Sequence, residues 1–183
     1  MWKSDGFTIL EEPRRTRRVD ADAAKTNAIK VGSAVTQDSD GNVILLTGSG
    51  TAGDGSSDPF LGVVQAIVQT SIDEGRDQFP RILLPAKAGK LDIVDDPNQV
   101  LRLPVDTTSA SLAVQSLIGN LIDVKVSDAT TDPETIAHLA TASTTTSTLQ
   151  FRVVGIYTDP ITSAKFVDVT PNKSQYRPGR VGV

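Results

Sequence analysis

The sequence predicts an all-β protein: a barrel-like or sandwich core of short antiparallel strands with long loops and at most one short helix. Three observations lead to this fold class. Short runs rich in Val, Ile and Leu recur along the chain, and Gly, Pro, Asp and Asn separate them. These runs show almost no helical period. Only the stretch from Pro133 to about Ala140 could form a short helix, because a turn-forming string precedes it.

The clearest strand pair surrounds Asp40-Gly41. Apolar runs at 31–35 and 43–46 flank this polar tip, and Gly accepts the positive φ that a tight primed turn needs. The pattern therefore predicts a hairpin. A Gly/Ser-rich loop over residues 48–57 then leads to a third predicted strand at 60–69.

Further strands are predicted later in the chain, and they define the domain organisation. They lie at 81–86, 91–94, 100–105, 122–126, 149–157 and 166–169. We expect an extended N-terminal arm over residues 1–28, a β core domain over 29–170, and an extended C-terminal tail over 171–183.

Composition excludes several classes of site. The chain has 183 residues, of which 38% are hydrophobic, and it contains no Cys and one His. Disulfides, thiolate metal sites, a Cys nucleophile and a multi-His metal site within one chain are therefore excluded. No apolar run approaches the ~18–20 residues that span a bilayer, so we expect no membrane partner. The N-terminus lacks the apolar core of a signal peptide.

Charge divides unevenly between the arm and the rest. Residues 1–30 contain seven Lys or Arg and five Asp or Glu, and the remainder contains 11 and 17, giving net charges of +2 and −6. A basic arm on an acidic body is expected to dock onto an acidic surface, which could belong to a neighbouring copy. The arm residues expected to make this contact are Phe7, Ile9, Arg14, Arg15, Arg17 and Arg18.

The arginine cluster is weak evidence for nucleic-acid binding. No aromatic residues are interleaved with the arginines, and nearby acidic residues neutralise part of their charge. Such a patch by itself provides only non-specific affinity. We therefore favour a protein surface over nucleic acid as the partner.

Two motifs resemble ligand sites but lack the required context. Residues 48–53 read G-x-G-x-x-G, but an acidic, helix-hostile segment follows where a dinucleotide site needs a helix. Asp38, Asp40 and Asn42 resemble a calcium loop, but Gly41 occupies the fourth position instead of the sixth. We expect neither a cofactor nor a metal at these positions.

The remaining candidate groups are Asp92, Asp95, Asp96 and His138. Clustered carboxylates could perform acid–base chemistry or bind a hard cation. Asp95-Asp96-Pro97-Asn98 is also a turn-forming string, which we favour, although cation binding there stays open. A lone His beside Leu139 and Ala140 is typical of packing or surface positions. No catalytic residues are therefore expected, and the chain is not expected to be an enzyme.

The succession of short motifs from about residue 29 to 173 resembles head decoration (cement) proteins of tailed double-stranded DNA bacteriophages. The motifs are Ile29-Lys30-Val31-Gly32-x-x-Val35, Asp40-Gly41-Asn42-Val43, Leu61-Gly62-Val63-Val64, Asp95-Asp96-Pro97, Leu103-Pro104-Val105-Asp106, Leu117-Ile118-Gly119-Asn120-Leu121-Ile122, the Thr/Ser run at 141–148, Phe151-Arg152-Val153-Val154-Gly155, Val167-Asp168-Val169 and Pro171-Asn172-Lys173. The basic arm is not part of this pattern.

The resemblance implies a structural role in the virion. Such proteins sit as trimers or other multimers on the outer capsid surface and clamp neighbouring major capsid protein subunits without catalysis. It implies a capsid decoration (cement) protein of a bacteriophage virion, a homotrimer or other homo-oligomer that contributes to capsid stabilisation after synthesis in the host cytoplasm. The alternatives are another virion part, such as a tail or head–tail joining protein, a β-rich hydrolase, or a carbohydrate-binding module. Whether the 48–57 loop faces the capsid or the solvent stays open.

Overall fold

The computed structural model describes residues 6–12, 15–21, 27–37, 41–46, 60–68, 81–105, 107–127, 133–138 and 150–172. Thirteen β-strands lie within these ranges. They are β1 (Thr8–Ile9), β2 (Thr16–Ala21), β3 (Ile29–Lys30), β4 (Ala34–Gln37), β5 (Val43–Leu45), β6 (Gly62–Val68), β7 (Ile82–Leu83), β8 (Gly89–Val94), β9 (Leu101–Pro104), β10 (Leu121–Ser127), β11 (Glu134–His138), β12 (Phe151–Thr158) and β13 (Lys165–Pro171). The predicted all-β fold class is confirmed.

Five strands form a closed barrel in the order β2-β5-β4-β6-β8. β4 and β5 are the predicted hairpin: they pair antiparallel, with Val35 opposite Leu45. Gly41, at the end of their turn, has a φ of 88°, a conformation that Gly adopts without strain. The barrel closes where β2 pairs with β8 antiparallel and meets β5 in parallel at Ala21 and Val43.

Strands β4 and β6 are buried on both faces. Successive strand residues point to opposite sides of a sheet. Val35 and Val64 therefore belong to the core inside the barrel, whereas their neighbours Ala34 and Val63 face a second core outside it. This explains why residues 60–64 form a continuous apolar run instead of an alternating one.

The second sheet has six strands in the order β1-β9-β13-β12-β10-β11. Val105, directly after β9, forms a bridge with Ala137 of β11 and curves the sheet into a half-barrel. Three phenylalanines meet in its core: the ring centroids of Phe7 and Phe60 each lie 5.1 Å from that of Phe151. Because Ala34 and Val63 of the barrel join this core, the two sheets share buried surface.

The predicted short helix over 133–140 is wrong. Residues 134–138 form β11, which pairs antiparallel with β10 from Asp123 opposite His138 to Ser127 opposite Glu134. The burial of Thr135 and Ala137, two residues apart, follows a strand period. In the described residues the helical structure consists of two 3-10 helices, Thr107–Leu112 and Gln115–Leu117. No helix among the described residues is long and apolar enough to cross a membrane.

Strands β1 and β2, which lie within residues 1–28, belong to these two sheets, and a third, two-stranded sheet pairs β3 with β7. β1 pairs with β9 in the half-barrel, and β2 is a full strand of the closed barrel. The boundary at residue 28 therefore does not separate these strands from the β core. At the other end, β13 runs to Pro171, and the N–H of Asn172 donates to the Gln150 carbonyl oxygen at 2.7 Å. Residues 173–183, like the 48–57 loop, lie outside the described residues.

Candidate functional site

The two apolar contact residues predicted in the arm, Phe7 and Ile9, pack on the core of the half-barrel. Phe7 is buried against Phe151, and Ile9 packs on the same core from the edge strand β1. The Phe7 N–H donates to the Gly32 carbonyl oxygen at 2.9 Å, which fixes this segment to the loop before β4. Phe7 therefore stabilises the fold from within the core, whereas Ile9, which is only partly buried, covers the core from the edge strand. Arg14 lies outside the described residues.

Arg15 and Arg17 meet a buried carboxylate at one end of the barrel. Along β2, Val19 and Ala21 pack on the barrel core, and alternation carries Arg17 and Arg15 to the same side beyond them. Their Nε atoms lie 3.0 Å (Arg17) and 3.1 Å (Arg15) from the two carboxylate oxygens of Asp95, whose side chain is 0% exposed. A carboxylate removed from water in this way needs cationic partners.

Arg18 pairs with Asp92 on the outer face of the barrel. The two residues are directly opposite each other across β2 and β8, and the guanidinium donates two hydrogen bonds of 2.7 and 2.8 Å. These hydrogen bonds, together with the positive charge, lower the pKa of Asp92 and outweigh its partial burial. Two positions along, Lys90 Nζ lies 3.4 Å from Asp20.

The acidic cluster is thus divided among local partners. Asp92 and Asp95 pair with arginines of β2, whereas Asp96 accepts a hydrogen bond from the Asn98 N–H at 2.8 Å, as a turn residue does. Within the described ranges, no group of three or more His, Asp or Glu side chains could hold a metal ion. Sequence reasoning missed the arginine partners because they are far from the acids in the chain, 74 residues for Arg18 and Asp92, and only the strand register brings them together.

His138 is the last residue of β11, and its register partner on β10 is Asp123. The Asp123 carboxylate accepts a hydrogen bond from the Val124 N–H at 2.8 Å. Asp38 and Asp40 lie outside the described residues.

A second charged cluster, which sequence reasoning did not identify, lies on the outer face of the half-barrel. Arg102 of β9 donates two hydrogen bonds, of 2.7 and 3.0 Å, to Asp168 of β13, which stands opposite it in the sheet. The Arg102 guanidinium also lies 4.0 Å from the centroid of the Tyr157 ring on β12. The hydrogen bonds to Asp168 raise the pKa of Arg102. Three adjacent strands are thereby tied together.

The β12–β13 hairpin ends in a structured tip, residues 159–164, which we call the knob. The Asp159 carboxylate accepts hydrogen bonds from the N–H groups of Ile161 (2.8 Å) and Thr162 (3.2 Å), and these lower the pKa of Asp159. The Asp159 N–H donates to the Ala164 carbonyl oxygen at 2.8 Å and closes the loop. Ile161, at the end of the knob, is 91% exposed.

Four further apolar residues are exposed, and we call them together the apolar strip. They are Leu112, Val114, Ile118 and Val154, each 42–46% exposed. The segment that carries the first three is fixed at both ends. Lys165 Nζ donates to the Ala113 carbonyl oxygen at 3.0 Å, and the Gly119 N–H donates to the Val153 carbonyl oxygen at 2.9 Å. The strip therefore lies between the base of the hairpin and the middle of β12.

Arg15 and Arg17 remain partly exposed at one end of the barrel and Arg18 on its outer face, and the half-barrel presents exposed apolar side chains. Comparison of the chain with protein-family models, with curated proteins and with solved structures found no match.

Proposed function

We propose that this chain is a non-catalytic structural protein of a phage virion, which binds the outer capsid surface and bridges neighbouring major capsid protein subunits. The observation that carries the proposal is where the resembling motifs lie. Ile29, Leu61, Leu103, Phe151 and Val167, each from a different motif, are all buried, and they occupy both cores. The resemblance therefore concerns residues that define the body of the fold.

A clamp of this kind needs a body that does not deform when its neighbours pull on it. A closed barrel has no free sheet edge, and a core shared with a second sheet resists separation of the two. Many copies on one shell let individually weak contacts sum through avidity. Function is carried by surfaces placed on a fold, so the proposal has to be tested at the surface.

The structure changes which residues within 1–28 we propose as contacts to the capsid. Phe7 and Ile9 pack on the core, so we propose that the exposed parts of the β2 arginines meet the capsid, with Arg18 on the outer face of the barrel and Arg15 and Arg17 at its end. Arg18 already forms an ion pair with Asp92, and Arg15 and Arg17 form ion pairs with Asp95. An incoming carboxylate would therefore compete with carboxylates of the chain itself, which predicts binding of moderate strength.

Co-sedimentation with expanded, DNA-free heads of the same phage tests the proposal. We expect saturable binding at a fixed ratio to the major capsid protein. Arg18→Glu should weaken binding, whereas Arg81→Glu, a charge reversal at an exposed position before β7, should not. Circular dichroism of both variants checks that they fold. If the unmodified chain does not bind at low salt, a tail or head–tail joining role replaces the decoration role.

A further inference from the structure

The hydrogen bonds of the knob hold Ile161 in a defined position before any partner binds. Besides the two hydrogen bonds to Asp159, the Ser163 N–H donates to the Asp159 carbonyl oxygen at 2.9 Å, and the Ala164 N–H donates to the Thr162 hydroxyl at 3.3 Å. Ile161 thus projects from a loop with a defined conformation. Such preorganisation reduces the ordering entropy that binding would otherwise cost.

The segment that carries Leu112, Val114 and Ile118 is itself uncharged, and two cations are bonded to its carbonyl groups, Lys165 at Ala113 and Arg152 at Gly119. From Thr107 to Ile122 the sequence contains no charged residue, although 22% of the whole chain is charged. Depletion of charge around exposed aliphatic side chains distinguishes interface cores from ordinary surface. The strip and the knob therefore match each other chemically.

The charges next to the two features are opposite in sign. The Asp159 carboxylate lies at the base of the knob, and the Lys165 ammonium group lies at the edge of the strip, where it is bonded to the Ala113 carbonyl oxygen. If the knob of one molecule rests on the strip of another, a carboxylate approaches an ammonium group. Such complementarity favours that orientation over others.

We propose that Ile161 of one copy packs on the apolar strip of a second copy of this chain. Lys165, on the hairpin, is bonded to the segment that carries the strip, so the knob and the strip are neighbours on one molecule. In a two-fold pair both knob–strip contacts can form together, because residue i meets residue j and j meets i. This self-association does not depend on the capsid proposal.

Cysteine cross-linking tests this pairing directly, because the natural sequence contains no Cys. Ile161→Cys and Val114→Cys are prepared as separate variants, mixed, and treated with a short bis-maleimide. We expect a cross-linked mixed dimer as the main product. Leu84→Cys, at another exposed apolar position next to β7, replaces Val114→Cys as the control and should give little product with Ile161→Cys. Equal yields from the two mixtures would overturn the proposal.

Sedimentation velocity provides an independent measurement. Ile161→Asp should lower the association constant at least about tenfold, because an apolar contact is replaced by a charge. Leu84→Asp should leave the constant unchanged. A chain that stays monomeric at concentrations that saturate phage heads would contradict the proposal without affecting the capsid role. Loss of head binding with self-association intact would do the reverse.

Discussion

At the scale of single residues, ion pairs within the chain determine whether the arginines of β2 can contact a partner. In the sequence, the cluster of Arg15, Arg17 and Arg18 has the pattern of a basic patch that binds an acidic partner. In the folded chain they meet Asp95 and Asp92. These three arginines, which lie in the described part of residues 1–28, are thus paired within one molecule, so a partner that contacts them has to compete with Asp92 and Asp95.

The Arg102–Asp168 pair should contribute measurably to stability. Both side chains are mostly buried, two hydrogen bonds join them, and the guanidinium also covers Tyr157. Arg102→Ala should lower the free energy of unfolding by about 1–2 kcal/mol, since hydrogen bonds between charged groups are stronger than neutral ones. Urea denaturation measures this loss. Arg18→Ala removes a more exposed pair and should have a smaller effect. Equal losses would contradict this assignment.

The knob should depend on pH through Asp159. Its pKa is lowered from an ordinary value near 3.8 by backbone N–H groups, so the ionised form stabilises the fold above that value. This contribution is lost as the pH falls through the lowered pKa. Asp159→Asn removes the charge but keeps an acceptor. The stability difference between the two proteins should be largest above about pH 5 and should vanish in acid. A difference independent of pH would contradict this account.

At the scale of elements, closure of the barrel depends on the close approach of β6 and β8. Gly62, the first residue of β6, stands where a Cβ atom would lie 2.6 Å from the Val94 carbonyl oxygen. A backbone oxygen cannot move aside as a flexible side chain can. The two strands can therefore approach each other at this point only because residue 62 has no side chain.

Gly62→Ala should separate β6 from β8 and destabilise the protein by about 1–3 kcal/mol, as overpacking does. Gly155→Ala is the matched control, because its added Cβ would lie 3.4 Å from the Asp168 side chain, an ordinary contact. Thermal unfolding of both variants measures the difference. A control variant as unstable as Gly62→Ala would show that glycine itself, and not the close approach, matters.

The local sequence pattern was sufficient to predict most strands, but not to predict which strands pair with each other. The β4–β5 hairpin could be predicted because turn chemistry and register are local. β2 was missed because its exposed face is charged and only Val19 and Ala21 face the core. β11 was assigned to a helix because a capping-like turn precedes it, whereas pairing with β10 decides its conformation. The clusters at Asp95 and Asp168 depend on long-range register, which a single sequence does not reveal.

At the scale of the whole molecule, the closed barrel and the half-barrel are joined through a shared core. Phe7 reaches this core from the N-terminal segment, and Ala34 and Val63 reach it from the barrel. Removal of one part should therefore affect both sheets. A protein in which residues 1–28 formed a separable arm would not show this effect on both sheets.

Deletion of residues 1–28 tests this point. The deletion removes β1 and opens the barrel by removing β2. We expect the shortened chain to lose the cooperative urea unfolding transition, as followed by far-UV circular dichroism, because buried Asp95 also loses its arginine partners. A shortened chain that unfolds cooperatively at an unchanged midpoint would instead support a separable arm that ends at residue 28.

Cryo-electron microscopy of phage heads saturated with the protein tests the proposed function most directly. We predict additional density on the outer surface of the shell, large enough for the closed barrel and the half-barrel, in contact with two neighbouring major capsid protein subunits. Heads incubated without the protein should lack this density. Density confined to the tail or the head–tail joint, or no added density, would contradict the capsid-binding role.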